Sequence, residues 1–280
     1  MIDYILRTAE LNEIENLLKI VFQAFNRPIP ADIKDQEKLL IDLIRNEMAH
    51  FVILLLDNRI CGLGGAFFFE KVCSFGYMAV LKEYRNRGIG TKIFSSLMEY
   101  AKHKNCETFT LYASKLGEPI YKKFGFQARF YETMYNLPKE LNMDTLIPKK
   151  IRMGDKLPKW AINLDIKAVG FDRSKYLNIV IKHGSTLLLI ENEGYALISG
   201  ARIGPLIAKN LETARILIRE SVLYDADHII IPKHSKLPIE LFNVIELTVK
   251  AENKNRMMIK GKKLQRNLEY FYALGTYAKG

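Results

Sequence analysis

Two arginines and two glycines lie close together in a loop that follows a predicted buried strand. The segment reads Arg85-Asn86-Arg87-Gly88-Ile89-Gly90-Thr91, and an amphipathic helix is predicted directly after it. The glycines let backbone N–H groups approach a bound group without side-chain obstruction, and the first turn of a helix attracts negative charge. These residues predict an anion site suited to a pyrophosphate. The alternative is an ordinary strand-to-helix loop with surface arginines.

Spacing argues against other ligand motifs. The loop does not match G-x-x-x-x-G-K-[ST], which makes a nucleotide triphosphatase unexpected. Gly62, Gly64 and Gly65 do not form G-x-G-x-x-G and instead indicate a strand bend or bulge. The five histidines show no paired metal-ligand spacing, so we expect no metal.

The elements that must position the loop follow from apolar spacing. Three consecutive strands precede the crossover helix 91–104, which differs from the strict alternation of a doubly wound sheet and indicates a mixed α/β fold. The predicted strands are 2–6, 51–56, 60–69, 74–80, 109–112 and 127–136, and the predicted helices are 9–25, 34–47, 91–104 and 117–123.

The second half of the chain repeats roughly the same order. Its predicted helices are 159–168, 172–183 and 210–222, and its predicted strands are 185–190, 194–208 with a break near Gly200, 227–232, 243–250 and 269–275. Prolines and charged residues between the halves indicate a boundary. We therefore predict a first domain at 1–140, a linker at 141–158 and a second domain at 159–280.

The positive charge is concentrated in the second half. Residues 1–140 carry a net charge of +2 and residues 141–280 carry +9, out of +11 in total. The simplest interpretation of this charge is a solvated, lysine-rich surface. The alternative is that it attracts an acidic substrate or partner. We do not expect nucleic acid as a partner. The most basic cluster comprises Lys250, Lys254, Arg256, Lys260, Lys262, Lys263 and Arg266.

Location follows from what the sequence lacks. No run approaches the ~18 apolar residues of a membrane span, and the N-terminus does not resemble a secretion signal. The three cysteines are too few and scattered for a disulfide framework. We expect a cytoplasmic protein without a membrane partner.

Two motifs carry a family resemblance. Arg85-x-x-Gly88-x-Gly90 resembles the Q/R-x-x-G-x-G/A acyl-CoA signature of the GNAT N-acetyltransferase superfamily, and it follows a strand that ends in Met78-Ala79-Val80. The segment 118–126, Glu-Pro-Ile-Tyr-Lys-Lys-Phe-Gly-Phe, resembles the second signature of that family. The resemblance covers most of residues 1–137. It implies an N-acyltransferase in which each domain has a mixed, mainly antiparallel sheet flanked by helices.

The resemblance also implies a cofactor and a reaction. The cofactor is acetyl-CoA, with CoA as product, and a substrate amine attacks the thioester directly. A backbone N–H near Ala79 or Val80 is the expected oxyanion donor. Tyr121 matches the family position that protonates the leaving thiolate, and a phenol suits a sulfur leaving group. Packing beside the cofactor is the alternative role of Tyr121. The residues expected to bind the cofactor are Met78, Ala79, Val80, Arg85, Asn86, Arg87, Gly88, Ile89, Gly90, Thr91 and Ser114.

The general base is left open. The family position on the strand before the loop is occupied by Ser74, and Glu70 lies a few residues earlier; either would act through water. Glu118 and Tyr112 are further candidates. Bulk solvent is an alternative base for an amine whose pKa the site lowers.

The second half is similar to the C-terminal GNAT-like domain of two-domain acetyltransferases of the YitH and HolE type, on the segments 170–174, 203–208 and 272–275. Its equivalent of the glycine loop, Lys209–Ala214, contains no glycine. We therefore expect it to bind no cofactor and to shape the substrate site. A small-molecule amine is the expected acceptor; a protein lysine or N-terminus, or a non-catalytic acyl-CoA-binding role, are the alternatives.

Overall fold

The computed structural model describes residues 4–139, 149–232, 247–251 and 256–275. The elements of the first half follow the predicted order, and the largest difference is the later start of the first helix. Their bounds are β1 Tyr4–Thr8, α1 Ile14–Ala24, α2 Ile33–Arg45, β2 Ala49–Leu56, β3 Arg59–Phe69, β4 Val72–Val80, α3 Ile89–His103, β5 Thr108–Ala113, α4 Glu118–Lys123 and β6 Gln127–Asn136.

The second half contains the three predicted helices and two strands that the sequence did not predict, at 151–154 and 256–261. The first of these lies within the segment expected to be a linker. Residues 243–246 of one predicted strand fall outside the described residues. The bounds are β7 Ile151–Gly154, α5 Lys159–Val169, α6 Ser174–Lys182, β8 Thr186–Ile190, β9 Gly194–Ser199, β10 Arg202–Ala208, α7 Leu211–Val222, β11 His228–Pro232, β12 Thr248–Ala251, β13 Arg256–Gly261 and β14 Phe271–Ala273.

Two mixed, mainly antiparallel sheets share one strand. The strand order is β1-β2-β3-β4-β5-β13-β6-β11-β10-β9-β8-β7, with β12 on β6 and β14 on β10. β6 pairs with β13 through residues 127–131 and with β11 through residues 132–136. It therefore passes from the first sheet into the second.

A strand from the end of the chain completes the first sheet. β13 lies between β5 and β6 and pairs with both. The Oγ1 of Thr108 donates to the carbonyl of Lys262 (3.0 Å), and the Lys262 ammonium forms an ion pair with Glu107 (2.5 Å). β6 of the first half extends into the second sheet, and β13 of the second half inserts into the first sheet. Backbone hydrogen bonds therefore join the two halves, and neither sheet is built from one half alone.

The faces of the first sheet are covered by different helices. α3 packs on one face through its regularly spaced apolar residues Ile93, Phe94 and Leu97. The other face packs against α1 and α2 and also against helices of the second half. The Phe69 ring, for example, contacts Phe171 (5.4 Å between ring centroids) and Tyr176 (5.6 Å).

β3 and β4 contain the predicted irregularity near the glycines. The register changes from Leu63 opposite Ala79 to Gly65 opposite Gly76, so that two residues of β4 face Gly64. Tyr77, one of the two, has φ +54°. A side chain at Gly64 would collide with α3 and with Met78, since an added Cβ would lie 2.4 Å from the Met78 sulfur. The β-bulge changes the direction of β4 near its end.

β4 and β5 separate after a short parallel pairing. They are paired from Val72 and Thr108 to Phe75 and Leu111, and not beyond. Among the described residues, none pairs with the rest of β4 on the β5 side, and a gap opens between the two strands. This gap leads to the loop that carries the two arginines.

The second half closes its equivalent gap. β10 and β11 are parallel over only two residue pairs, and β14 then pairs with the freed part of β10. The Leu274 N–H also donates to the carbonyl of Ile230 in β11 (3.0 Å). In the second domain, β14 and Leu274 thus occupy the space that is open between β4 and β5 in the first domain.

Candidate functional site

A cavity of about 780 Å³ occupies the gap between β4 and the residues that follow β5. Its size lies within the range usual for small-molecule sites. It is lined by Tyr121 and by ten of the eleven residues expected to bind the cofactor, all except Arg87. The Arg87 guanidinium lies instead over the Tyr84 ring (5.8 Å to the centroid).

The glycine loop presents the start of α3 to this cavity. α3 begins at Ile89, so the N–H groups of its first turn have no partner within the helix. Gly88 precedes it with φ +75°, a left-handed conformation that favours glycine, and a Cβ added there would meet nothing within 4 Å. Open space in front of unpaired amides is what an anion cradle requires. A pyrophosphate fits these residues.

Arg85 has a structural role that the sequence did not indicate. Its Nε donates to the carbonyl of Val80 (3.0 Å) and its Nη2 to the carbonyl of Ala24 (2.6 Å). The side chain thus connects the end of β4 with the end of α1, and both carbonyl-bearing residues line the cavity. Its positive charge remains beside the loop while its hydrogen bonds hold the cavity wall.

Strand geometry identifies which N–H groups of β4 face the gap. The Leu81 N–H donates to Cys61 of β3 (3.0 Å). Since N–H directions alternate along a regular strand, the Ala79 N–H also points to β3, whereas that of Val80 points to the open side. The β-bulge at Tyr77 and Met78 interrupts this alternation before Ala79. Of the two expected oxyanion donors, only Val80 has the required direction.

Tyr121 lies where the second motif meets the cavity. It is on α4, with its ring against Phe94 (4.9 Å between centroids), and it is 7 % exposed. Burial raises the pKa of its phenol above the ordinary value, so the hydroxyl is protonated at neutral pH. This state is the one that a proton donor needs.

The residues expected as possible bases are dispersed. Glu70 is exposed in the turn between β3 and β4, at φ +49°, and does not line the large cavity. Ser74 is buried in β4, and Tyr112 is in β5; both line a second, small cavity of about 30 Å³ between the two halves, which Glu70 does not line either. Glu118 forms an ion pair with Lys122 on α4 (2.8 Å).

Part of the basic cluster serves internal contacts. The Lys260 Nζ donates to the carbonyl of Phe124 (2.5 Å), Lys262 pairs with Glu107, and Arg266 lines the small cavity. Lys254 and the side chains of Lys250 and Arg256 lie outside the described residues. Reversing the charge of Lys260 or Lys262 would therefore also remove contacts in and next to β13.

Sequence reasoning missed two groups of residues at the site. The end of α1, residues 24–26, lines the large cavity; Asn26 (φ +51°) after an apolar helix was an available signal. Glu132, in β6, is fully buried. An acidic residue between aromatic and apolar residues of a predicted strand was its signal.

Comparison with known families assigns both halves. The model described as the acetyltransferase (GNAT) family matches residues 11–126, and a model described as an acetyltransferase (GNAT) domain matches residues 161–273. The chain therefore belongs to the GNAT acetyltransferase family. This confirms the predicted tandem fold and the class of enzyme, an N-acyltransferase that uses acetyl-CoA.

Individual relatives agree with this assignment. The chain is 29% identical to a crystal structure of an acetyltransferase candidate from Pyrococcus horikoshii, with a TM-score of 0.89 and coverage of 99% of this chain and 96% of that chain. It is 26% identical to a candidate ribosomal protein bS18 alanine N-acetyltransferase of Bacillus subtilis over 43% of this chain and 79% of that protein. It is 27% identical to the uncharacterized N-acetyltransferase YitH of the same organism, over 55% and 57% of the two chains.

The part of the chain that the structure describes has no helix long and apolar enough to cross a membrane. Within the same residues, no group of three or more histidine, cysteine, aspartate or glutamate side chains is arranged to hold a metal ion.

Proposed function

We propose that the protein transfers the acetyl group of acetyl-CoA to the primary amine of a small molecule, with one cofactor site per chain. The observation that carries the proposal is the asymmetry of the two gaps. The first contains the large cavity, and the second is occupied by β14. When bound, acetyl-CoA supplies the acetyl group as a thioester.

The chain's own groups have separate tasks in this proposal. The first-turn N–H groups of α3 and the space at Gly88 hold the pyrophosphate. The N–H group of Val80, on the open side of β4, holds the carbonyl oxygen or a pantetheine amide. Tyr121 holds a proton at its phenol oxygen and gives it to the sulfur.

A small acceptor is favoured by what covers the sheet. The face opposite α3 is packed against α6 and the segment before it, through Phe69 with Phe171 and Tyr176. The Asp42 carboxylate of α2 also contacts the ring of His183 at the end of α6 (3.0 Å). This packing leaves a cavity of about 30 Å³ between the two halves, which favours a small acceptor over a folded protein.

A protein N-terminus is a second candidate acceptor. One relative is named for an alanine N-acetyltransferase activity. In addition, the segment between α1 and α2 exposes the apolar side chains of Phe25 (47 %) and Ile29 (54 %) beside the large cavity. Exposed apolar side chains at the mouth of a site are suited to contact with a peptide.

Thiol release from acetyl-CoA tests these proposals. The acceptors are spermidine, tyramine, glycine and a peptide that begins with alanine; glycine tests whether an acceptor that carries an acidic group is preferred. Fastest release with a small amine supports the first proposal, and fastest release with the peptide supports the second. Calorimetry should give one acetyl-CoA per chain, and two equivalent sites would contradict the asymmetry on which the proposal rests.

A further inference from the structure

Tyr112 lies at the point where β4 and β5 separate. The last paired residues are Phe75 and Leu111, so Tyr112 is the first residue of β5 beyond the pairing. Two residues further on, Ser114 lines the large cavity, whereas Tyr112 lines the small one. Tyr112 therefore lies at the small cavity, two residues along β5 from a residue that lines the large one.

Glu132 lies behind this tyrosine. It is 0 % exposed, and neither of its carboxyl oxygens accepts a hydrogen bond of normal geometry from the described residues. The Tyr112 hydroxyl faces the Glu132 carboxyl closely enough for each group to change the pKa of the other. A buried carboxyl without firm partners reduces stability when it ionises, so its presence calls for a function.

The surroundings of the pair are positively charged. Arg266 and Arg173 lie on the other side of Tyr112, and both line the small cavity. Arg173 is neutralised by Asp165, which accepts from its Nε (2.9 Å) and Nη2 (3.0 Å). The Nε of Arg266 is buried without a hydrogen-bond partner among the described residues. The positive charge of Arg266 favours a neutral over a protonated amine nearby.

The small cavity also contains an unsatisfied hydroxyl. Ser74 is 2 % exposed, and its Oγ has no hydrogen-bond partner among the described residues. With a volume of about 30 Å³, this cavity has about the volume that one water molecule occupies in the liquid. An amino group is similar in size. A polar cavity with an unpaired buried hydroxyl is suited to such a group.

We propose that the acceptor's amino group lies at Tyr112, and that Tyr112 and Glu132 together accept the proton that it loses. This inference rests on the proposed function and supplies the base that sequence reasoning left open. Tyr112 would touch the amine. Glu132 acts through Tyr112 and is a positioning and proton-storing residue.

The protons balance over the reaction. As the amine nitrogen bonds to the acetyl carbon, its proton passes to the Tyr112 oxygen while Tyr112 passes its own proton to the Glu132 carboxylate. The bond from that carbon to sulfur breaks, and Tyr121 gives one proton to the sulfur. Glu132 returns its proton to solvent and Tyr121 regains one from solvent, so no proton is gained or lost.

Burial raises the pKa of Glu132 well above the ordinary value, and the nearby Tyr112 hydroxyl opposes this shift. The active carboxylate therefore forms only as the pH rises, so the acid limb of kcat/KM should lie above the pH expected for an ordinary glutamate, about 4.3. The same shift costs stability as the pH rises through the folded-state pKa. The variant Glu132→Gln should therefore lose the acid limb and become more stable relative to wild type as the pH rises.

The test compares Glu132→Gln, Tyr112→Phe and the double variant, using whichever of spermidine, tyramine, glycine and the alanine peptide the wild type acetylates fastest. Each single variant should lower kcat about 10²-fold, since general base catalysis is worth ~10²–10⁴-fold, with acetyl-CoA affinity within about 2-fold by calorimetry. The double variant should be no slower than the slower single variant. Without any substrate, the infrared band of a protonated buried carboxyl should be present in the wild type and absent in Glu132→Gln.

Tyr195→Phe is the matched control. Tyr195 is fully buried in the second half and its hydroxyl also donates to a buried carboxylate, that of Asp165. It should leave kcat and the pH profile unchanged. The inference would be overturned if Glu132→Gln kept the wild-type kcat and the wild-type acid limb. It would also be overturned if the effects of the two single variants on the activation free energy added in the double variant. Either result would leave the acetyltransferase assignment intact. A wild type that acetylates none of the four acceptors would instead count against the proposed function.

Discussion

Replacement of Gly88 by valine separates the two reasons for which a glycine is needed there. The first is backbone conformation, because φ is +75° and a β-branched residue in this region costs about 1–3 kcal/mol. The second is space, because the loop must leave room for a pyrophosphate in front of the α3 amides. No existing atom lies within 4 Å of an added Cβ. A steric loss of stability is therefore not expected, and any valine methyl would occupy the open space of the cavity.

The two effects have different sizes and observables. Backbone strain lowers the unfolding free energy. Obstruction of the cradle removes at least one hydrogen bond to a charged group, worth about 1.5–3 kcal/mol, and should weaken acetyl-CoA binding about 10- to 150-fold. Calorimetric titration with acetyl-CoA measures the second effect, and denaturant unfolding measures the first.

Gly184 provides a control with the same backbone requirement. It follows α6 in the second half, has φ +93°, and an added Cβ would likewise meet nothing within 4 Å. Gly184→Val should lose similar stability and bind acetyl-CoA like the wild type. If Gly88→Val also bound with wild-type affinity, the glycine loop would not be the cradle. If both variants lost affinity equally, the loss would reflect general destabilisation.

Three further predictions follow from individual contacts. Arg85→Ala should lower the unfolding free energy by about 1.5–3 kcal/mol in denaturant titration and weaken acetyl-CoA binding, because it removes the bonds between the ends of β4 and α1; unchanged stability would contradict this role. Tyr121→Phe should lower kcat by ~10²–10⁴-fold in steady-state assays with little change in acetyl-CoA affinity; a large loss of affinity would indicate packing instead. Hydrogen bonds from Lys262 and Lys71 lower the pKa of Glu107 to about 2, so its stabilising contribution is present above about pH 4.3 and lost as the pH falls toward 2. Thermal melts of Glu107→Gln should therefore show a weaker acid dependence than wild type, and parallel curves would refute the contribution.

Local patterns predicted the elements of the fold better than their partners. The apolar spacing of α3 and the continuous apolar run of β2 identify these elements without knowledge of the rest of the chain. β13 was missed because it is only six residues long and contains two charged residues, Arg256 and Lys260. Its partner Thr110 lies about 150 residues earlier in the sequence, opposite Ile259. Pairing at such a separation is decided by tertiary structure, not by local propensity.

The candidate site shows the same division. The glycine loop is a local signal, since a strand, a loop and a helix start are contiguous in the sequence, and ten of the eleven expected residues line one cavity. The surroundings of Glu132 are not local. They bring together Tyr112 of β5 and Arg266 after β13, which line one small cavity, and Glu132 of β6, which influences the pKa of Tyr112. A base assembled from distant strands leaves no spacing in the sequence that could identify it.

Because β13 of the second half lies in the first sheet, the contribution of the second domain to catalysis cannot be tested by removing it. A chain shortened to residues 1–140 would keep the glycine loop, α3 and Tyr121. It would lose β13, however, which lies between β5 and β6 and pairs with both. The freed edge of β5 would carry Tyr112, and Glu107 would lose the ion pair with Lys262. Loss of activity in such a chain would therefore report a damaged first sheet and not the removal of a substrate wall. Point variants that leave β13 in place, such as Glu132→Gln with Tyr195→Phe as its control, test the contribution of the interface between the halves without this ambiguity.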